Sequence, residues 1–233
     1  MRSPKLWLGG LAVVALFAAA SSASAQRTGT RIGRDATPED AAAAMEILAD
    51  CTVDRRADFV RKWFDLLPGT PGEFRLLKSQ EADLSACMES NVLVMDGKRL
   101  EFKAASMRYP VAAAWGRRHL AEGPAGSPAP VTSDPWFLAR MKELPAGASL
   151  DRAALVLQDF GHCVAVHEWA GARALLLSKP GSFEQREAIA KLTPVLGPCL
   201  SENVEIALTP ENLRRVLAEP VYHIVTASAG RQE

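Results

Sequence analysis

The residues of this chain best suited to chemistry are its four cysteines, Cys51, Cys87, Cys163 and Cys199. A cysteine serves as a nucleophile, a metal ligand or a redox partner only as a thiolate, and as a staple when oxidised. His162 and His167 flank Cys163 and make the densest group of metal-capable side chains. On a helix those histidines lie five residues apart, a poor spacing for one shared ligand face, and an oxidised Cys163 cannot ligate. The sequence therefore yields no metal site and no cofactor. It lacks C-x-x-C, C-x-x-C-H, H-E-x-x-H, G-x-S-x-G, S-x-x-K and the G-x-x-x-x-G-K-[ST] phosphate loop. Paired acids such as Glu39-Asp40, or Glu184 with Glu187, sit at the starts of expected helices, where carboxylates answer the helix dipole. No catalytic residue is assigned.

The first twenty-five residues fix how the cysteines are read. Met-Arg-Ser-Pro-Lys is followed by an apolar run from Leu6 to Ala20 and then by Ser21-Ser22-Ala23-Ser24-Ala25. That order is a basic head, a short hydrophobic run and an A-x-A cleavage site, so residues 1–25 read as a signal peptide. An exported chain with an even cysteine count implies disulfides. Without Arg2 and Lys5, 25 basic residues face 27 acidic ones, a net charge near −2. Phosphate neutralisation needs a clustered basic excess, so nucleic acid is an unsuitable partner. No later stretch is long and apolar enough to predict a membrane span after cleavage.

Spacing then pairs the cysteines. Cys51 and Cys87 are 36 residues apart, and so are Cys163 and Cys199; a shift of 112 residues superposes both pairs without a gap. At that shift Arg61 meets Arg173, Pro68-Gly69-Thr70 meets Pro180-Gly181-Ser182, and Asn91-Val92 meets Asn203-Val204, within ten identities over 58 positions. An internal duplication is the reading. Beyond Val94 two registers compete: one lays Ser106–Ala112 on Asn212–Ala218, the other pairs Tyr109 with Tyr222.

The elements expected around these residues are helices. Thr37-Pro38-Glu39-Asp40 caps a first helix running toward Cys51. Phe59, Val60, Trp63, Phe64 and Leu67 recur at helical spacing in a second, over Arg55–Leu67. Thr70 and Glu73 are spaced as a capping box for a third, with Phe74, Leu77, Leu84 and Met88 as its apolar face. In the second half Ser149 is the expected cap, and Leu155, Val156 and Phe160 the buried face. Trp169–Leu177 and Ser182–Leu192 follow, the latter ended or kinked by Pro194 and Pro198. Asn91–Met95 and Asn203–Ala207 read as extended links, and Thr209-Pro210-Glu211 starts a last helix. Ser133-Asp134-Pro135 caps a short helix from Trp136, inside a linker rich in Gly and Pro.

The fold class is thus all-α: two tandem helical repeats, each stapled by one disulfide, Cys51–Cys87 and Cys163–Cys199. The expected boundaries are signal peptide 1–25, flexible lead-in 26–36, first repeat 37–119, linker 120–148, second repeat 149–226 and tail 227–233. Each bridge closes a loop of about 37 residues, worth about 4 kcal/mol of unfolded-state entropy. A unit of roughly 80 residues buries a small core and needs such a staple.

Arg61 and Arg173, and the aromatics Trp63, Trp115 and Trp136, are the candidate interaction residues. The arginines would meet an anion or partner, or bridge to a carboxylate or helix end inside their own repeat, the commoner use. The tryptophans would line a groove as interface anchors, or fill the core. The signal peptide, the Ala49-Asp50-Cys51 start, the P-G-[ST] turn and the second cysteine 36 residues on resemble uncharacterised exported proteins of Gram-negative bacteria with one or two such helical units. The resemblance covers 37–119 and 149–226 and implies location and architecture. The reading is a periplasmic or secreted non-enzymatic module that binds an unknown protein or envelope component. The alternative is an envelope-acting hydrolase with its site between the repeats.

Overall fold

The computed structural model describes residues 31–32, 38–80, 86–87, 100–101, 104–122, 134–201 and 204–229. The expected signal peptide, Leu84, Met88, Asn91–Met95, most of the lead-in and tail, and residues 123–133 of the linker lie outside them. Nine helices are assigned within the described residues. The first half holds α1 (Pro38–Arg55), α2 (Ala57–Phe64), α3 (Pro71–Ser79) and α4 (Arg108–Glu122), the last entered through a 3₁₀ turn over Ala104–Met107. Then come α5 (Phe137–Lys142), α6 (Arg152–His167), α7 (Trp169–Leu177), α8 (Phe183–Cys199) and α9 (Pro210–Ala229). One short antiparallel pair joins β1 (Arg31–Ile32) to β2 (Leu100–Glu101), so part of the expected flexible lead-in is a strand. The fold is otherwise helical, with disulfides Cys51–Cys87 and Cys163–Cys199 at Cα separations of 5.8 and 5.7 Å.

The helix starts follow from local chemistry. Thr70 Oγ1 accepts the Glu73 N–H at 3.3 Å, and Ser182 Oγ accepts the Gln185 N–H at 3.1 Å. The fourth residue of each box reaches back one position further than a capping box requires: the Gly69 N–H donates to Glu73 Oε2 at 2.7 Å and the Gly181 N–H to Gln185 Oε1 at 2.8 Å. Both glycines have positive φ, 77° and 75°, which relieves the Cβ clash of that turn.

Several boundaries differ from expectation. Asp151, not Ser149, caps α6, its Oδ1 accepting the Ala154 N–H at 2.9 Å. The helix α8 continues through Pro194 and Pro198. Its Leu192, Leu196 and Cys199 are buried and the bridge pins its last residue, so packing outweighs the missing N–H bonds. Phe74 and Val156, expected inside, are 58% and 38% exposed, and Glu73 takes the buried place on α3. No side chain caps α5. The last helices run past the expected boundaries, to Glu122 and Ala229.

In the first half α4 packs on α1, and in the second α9 packs on α6; α4 and α9 then pack on each other, and α4 also meets α7. One core spans both halves, including Leu48, Trp63, Phe64, Met107, Val111, Leu175, Leu192, Leu213, Leu217 and Val221. The helices α6 and α9 approach closely at Gly161, where a Cβ would lie 2.1 Å from the Val216 carbonyl oxygen. A smaller cluster of Leu67, Phe137 and Leu155 seats α5, with Trp136, Leu144 and Leu150 packed against it.

Candidate functional site

Charged side chains are rarely buried without partners, so a buried charged group is the first place to look for function. Arg108, Glu73 and Glu219 are 3%, 2% and 0% exposed. They come from α4, α3 and α9, so the group sits where both halves meet. Arg108 Nε donates to both oxygens of Glu219 at 2.9 Å, and Nη2 donates to Glu219 Oε1 at 2.5 Å. Nη1 donates to Glu73 Oε1 at 2.8 Å and to the Trp63 carbonyl at 3.3 Å. Nη2 also reaches the Leu66 carbonyl at 2.9 Å, so the guanidinium closes the C-terminal end of α2. The Trp63 indole N–H completes Glu73 at 2.9 Å.

The electrostatics follow from these contacts. Burial opposes the charge on Arg108, but Glu219 and Glu73 outweigh it and hold its pKa above the ordinary value. Burial likewise pushes Glu219 up, yet the Arg108 charge, helped by His223 and the Arg108 hydrogen bonds, brings it below the usual carboxylate range. Arg108 and Glu219 are therefore both ionised at neutral pH. His223, one turn along α9 from Glu219, places Nε2 3.6 Å from Glu219 Oε1, too long for a normal hydrogen bond. That nitrogen is buried and makes no hydrogen bond. Burial lowers the His223 pKa despite the nearby Glu219, so its imidazole is neutral.

Trp136 covers the histidine. The two rings stack at 3.8 Å and 15°, and the indole N–H donates to Gln158 of α6 at 3.4 Å. Trp63 is fully buried, and Trp115 lies edge-on to Tyr222 at 4.7 Å. The three candidate tryptophans are thus packing residues around the junction, not an open groove.

The candidate arginines part company. Arg61 is exposed and pairs with Asp58 on its own helix. Arg173 donates to the Leu120 carbonyl at 2.6 Å, tying α7 to the C-terminal end of α4 in the opposite half. Arg61 thus meets a carboxylate of its own half and Arg173 a helix end of the other; the described contacts bring the two together nowhere.

Sequence reasoning missed Arg108, Glu219 and His223. A faint signal was present in the register that aligns Arg108 with Arg214. Arg214 donates to the Leu176 carbonyl at 3.1 Å and to Ser178 Oγ at 3.1 Å. Leu176 and Ser178 stand 112 residues after Phe64 and Leu66, whose carbonyls Arg108 reaches. The two arginines thus close corresponding helix ends, which favours that register over the one pairing Tyr109 with Tyr222. Gln185 stands at the place of Glu73, so the second half carries no buried carboxylate there.

A cavity of about 430 Å³ lies elsewhere, at the α1–α2 corner, among Asp54, Arg55, Arg56, Phe59, Lys62 and Gln80. Its acids are engaged: Arg118 pairs with Asp54 and Arg61 with Asp58. Among the described residues no group of three or more His, Cys, Asp or Glu side chains is placed to hold a metal ion, and no helix is long and apolar enough to cross a membrane. Comparison with protein-family models, curated proteins and solved structures returns no match.

Proposed function

We propose that this is an exported, periplasmic binding or envelope-interaction module, a duplicated pair of disulfide-stapled helical units without catalytic activity. The single observation that carries the reading is the sealing of the charged junction. Arg108, Glu73 and Glu219 lie at or below 3% exposure and spend their hydrogen bonds on one another and on α2. Groups so placed join two halves; they do not meet a substrate. A hydrolase with its site between the repeats would need a carboxylate open to a cleft, and the carboxylate at that junction is fully buried. Two disulfides in a chain whose first residues read as a signal peptide favour an oxidising compartment.

The test is co-sedimentation of the purified, oxidised protein with isolated cell-wall sacculi and with outer-membrane vesicles, while the supernatant is assayed for released glycan, peptide or acyl products. Saturable retention without product supports the reading. Product release that Glu219→Gln abolishes would replace it with the hydrolase.

A further inference from the structure

We infer that α5, the helix between the two halves, is a latch that protons release: it is shut while His223 is neutral under the Trp136 ring and opens when that imidazole becomes charged. The inference does not depend on the binding reading above.

The seat of α5 is small. Phe137 enters a pocket made by Leu67 and Leu155, Trp136 lies on His223, and no side chain caps the helix start. Leu138 and Met141 on α5 are each 39% exposed. Six residues form a helix too short to persist alone.

The histidine beneath is poorly prepared for charge. Its Nε2 is buried and lacks a hydrogen bond. From its own helix it faces Glu219, whose two oxygens are already taken by Arg108 of α4. The guanidinium opposes a second cation, while Asp65, following α2, adds a weaker attraction. On α5, Arg140 lies 3.9 Å from that same Asp65. From α6 comes uncharged Gln158, with buried His162 one turn further on. Desolvation dominates this set, so the shut state binds a proton less readily than a state in which the imidazole meets water.

The cheapest way to wet His223 is to lift Trp136 with α5, since α9 itself is packed on α4 and α6. The sign follows from linkage. A histidine held below its free value of about 6.5 contributes stability to the shut state above that pH. The contribution falls as pH drops through 6.5 and is wholly lost below the shut-state pKa. The shut-to-open ratio falls by up to about tenfold per pH unit across that window.

The test is amide hydrogen exchange on the full oxidised protein between pH 7.5 and 5, corrected for intrinsic rates. We expect protection of the Arg140–Leu144 amides to fall by up to about tenfold per unit below pH 6.5, while α6 protection holds. His223→Gln should flatten the dependence. In the unaltered protein the His223 ring resonances should titrate below 6.5, a readout that needs no variant to fold. Protection of α5 that ignores pH, equal loss in α6, the same dependence in His223→Gln, or a ring pKa at or above 6.5 would each overturn the latch.

Discussion

Replacing Arg108 with methionine keeps the apolar stem and removes the cation that bridges two buried carboxylates. Glu73 retains the Trp63 indole and the Gly69 N–H, at 2.9 and 2.7 Å. Glu219 keeps neither of its hydrogen-bonded donors, because every hydrogen bond it accepts comes from Arg108. Leaving one buried charge without its partner costs about 3–5 kcal/mol. The open carbonyls at the end of α2 add to this, so about 4 kcal/mol at pH 7.5 is expected, a large part of a domain's usual stability. The loss has a definite pH sign. With Arg108 present, the Glu219 pKa is depressed, and its contribution is present above about pH 4.5 and lost below. Without Arg108, burial outweighs the weaker pull of His223, so the carboxyl pKa rises and the variant regains stability as pH falls toward 5. Urea unfolding of both proteins, disulfides intact, at pH 7.5 and 5 measures it. Arg108→Met with Glu219→Leu should recover most of the loss, because an apolar pair can replace a buried ionic one. Arg214→Met is the control: Arg214 is half-buried and bonds a carbonyl and a hydroxyl, so about 1 kcal/mol is expected. A loss below about 1 kcal/mol for Arg108→Met, or one that grows toward pH 5, would refute the reasoning.

The remaining predictions concern backbone, staples and phenols. Gly69→Ala should cost more than Gly181→Ala although both have positive φ: a Cβ at 69 would lie 2.5 Å from the Asp151 nitrogen, whereas nothing lies within 4 Å at 181. Thermal unfolding should show about 1–2 kcal/mol for Gly181→Ala and clearly more for Gly69→Ala. Gly161→Ala must push α6 off α9 and should lower the melting temperature sharply, by far more than Gly197→Ala, which meets open space. Cys51→Ser/Cys87→Ser and Cys163→Ser/Cys199→Ser should each cost about 4 kcal/mol in denaturant unfolding. Both tyrosines, Tyr109 and Tyr222, are pushed up to about 12, chiefly by burial. Absorbance titration near 295 nm should therefore show no phenolate step near pH 10 before unfolding, and stability should fall as pH rises past 10.

What the sequence made legible rests on local rules. The disulfide pairing was readable because equal spacing recurs at one shift. The starts of α1, α3 and α9 were readable because Pro, Thr and Glu signal there through short-range geometry. Phe74 was misplaced because helical spacing alone does not say which stripe faces inward; a glutamate with three polar neighbours displaced it. Pro194 and Pro198 misled because a helix packed along its length and bridged at its end tolerates two absent N–H groups. The charged junction was hidden for a different reason. Arg108 and Glu219 lie 111 residues apart, and no local pattern announces a partner that far away. Arg61 and Arg173 stood out because the duplication aligned them, yet it is Arg108 and Arg214, past the point where the halves drift, that serve corresponding helix ends.

The central claim is an exported pair of disulfide-stapled halves, and a non-reduced digest of the protein recovered from the periplasmic fraction tests it most directly. The account predicts a chain starting at Gln26, with peptides linked Cys51–Cys87 and Cys163–Cys199 and no free thiol. Recovery in the cytoplasmic fraction with free thiols, or a bridge joining a cysteine of one half to a cysteine of the other, would contradict it.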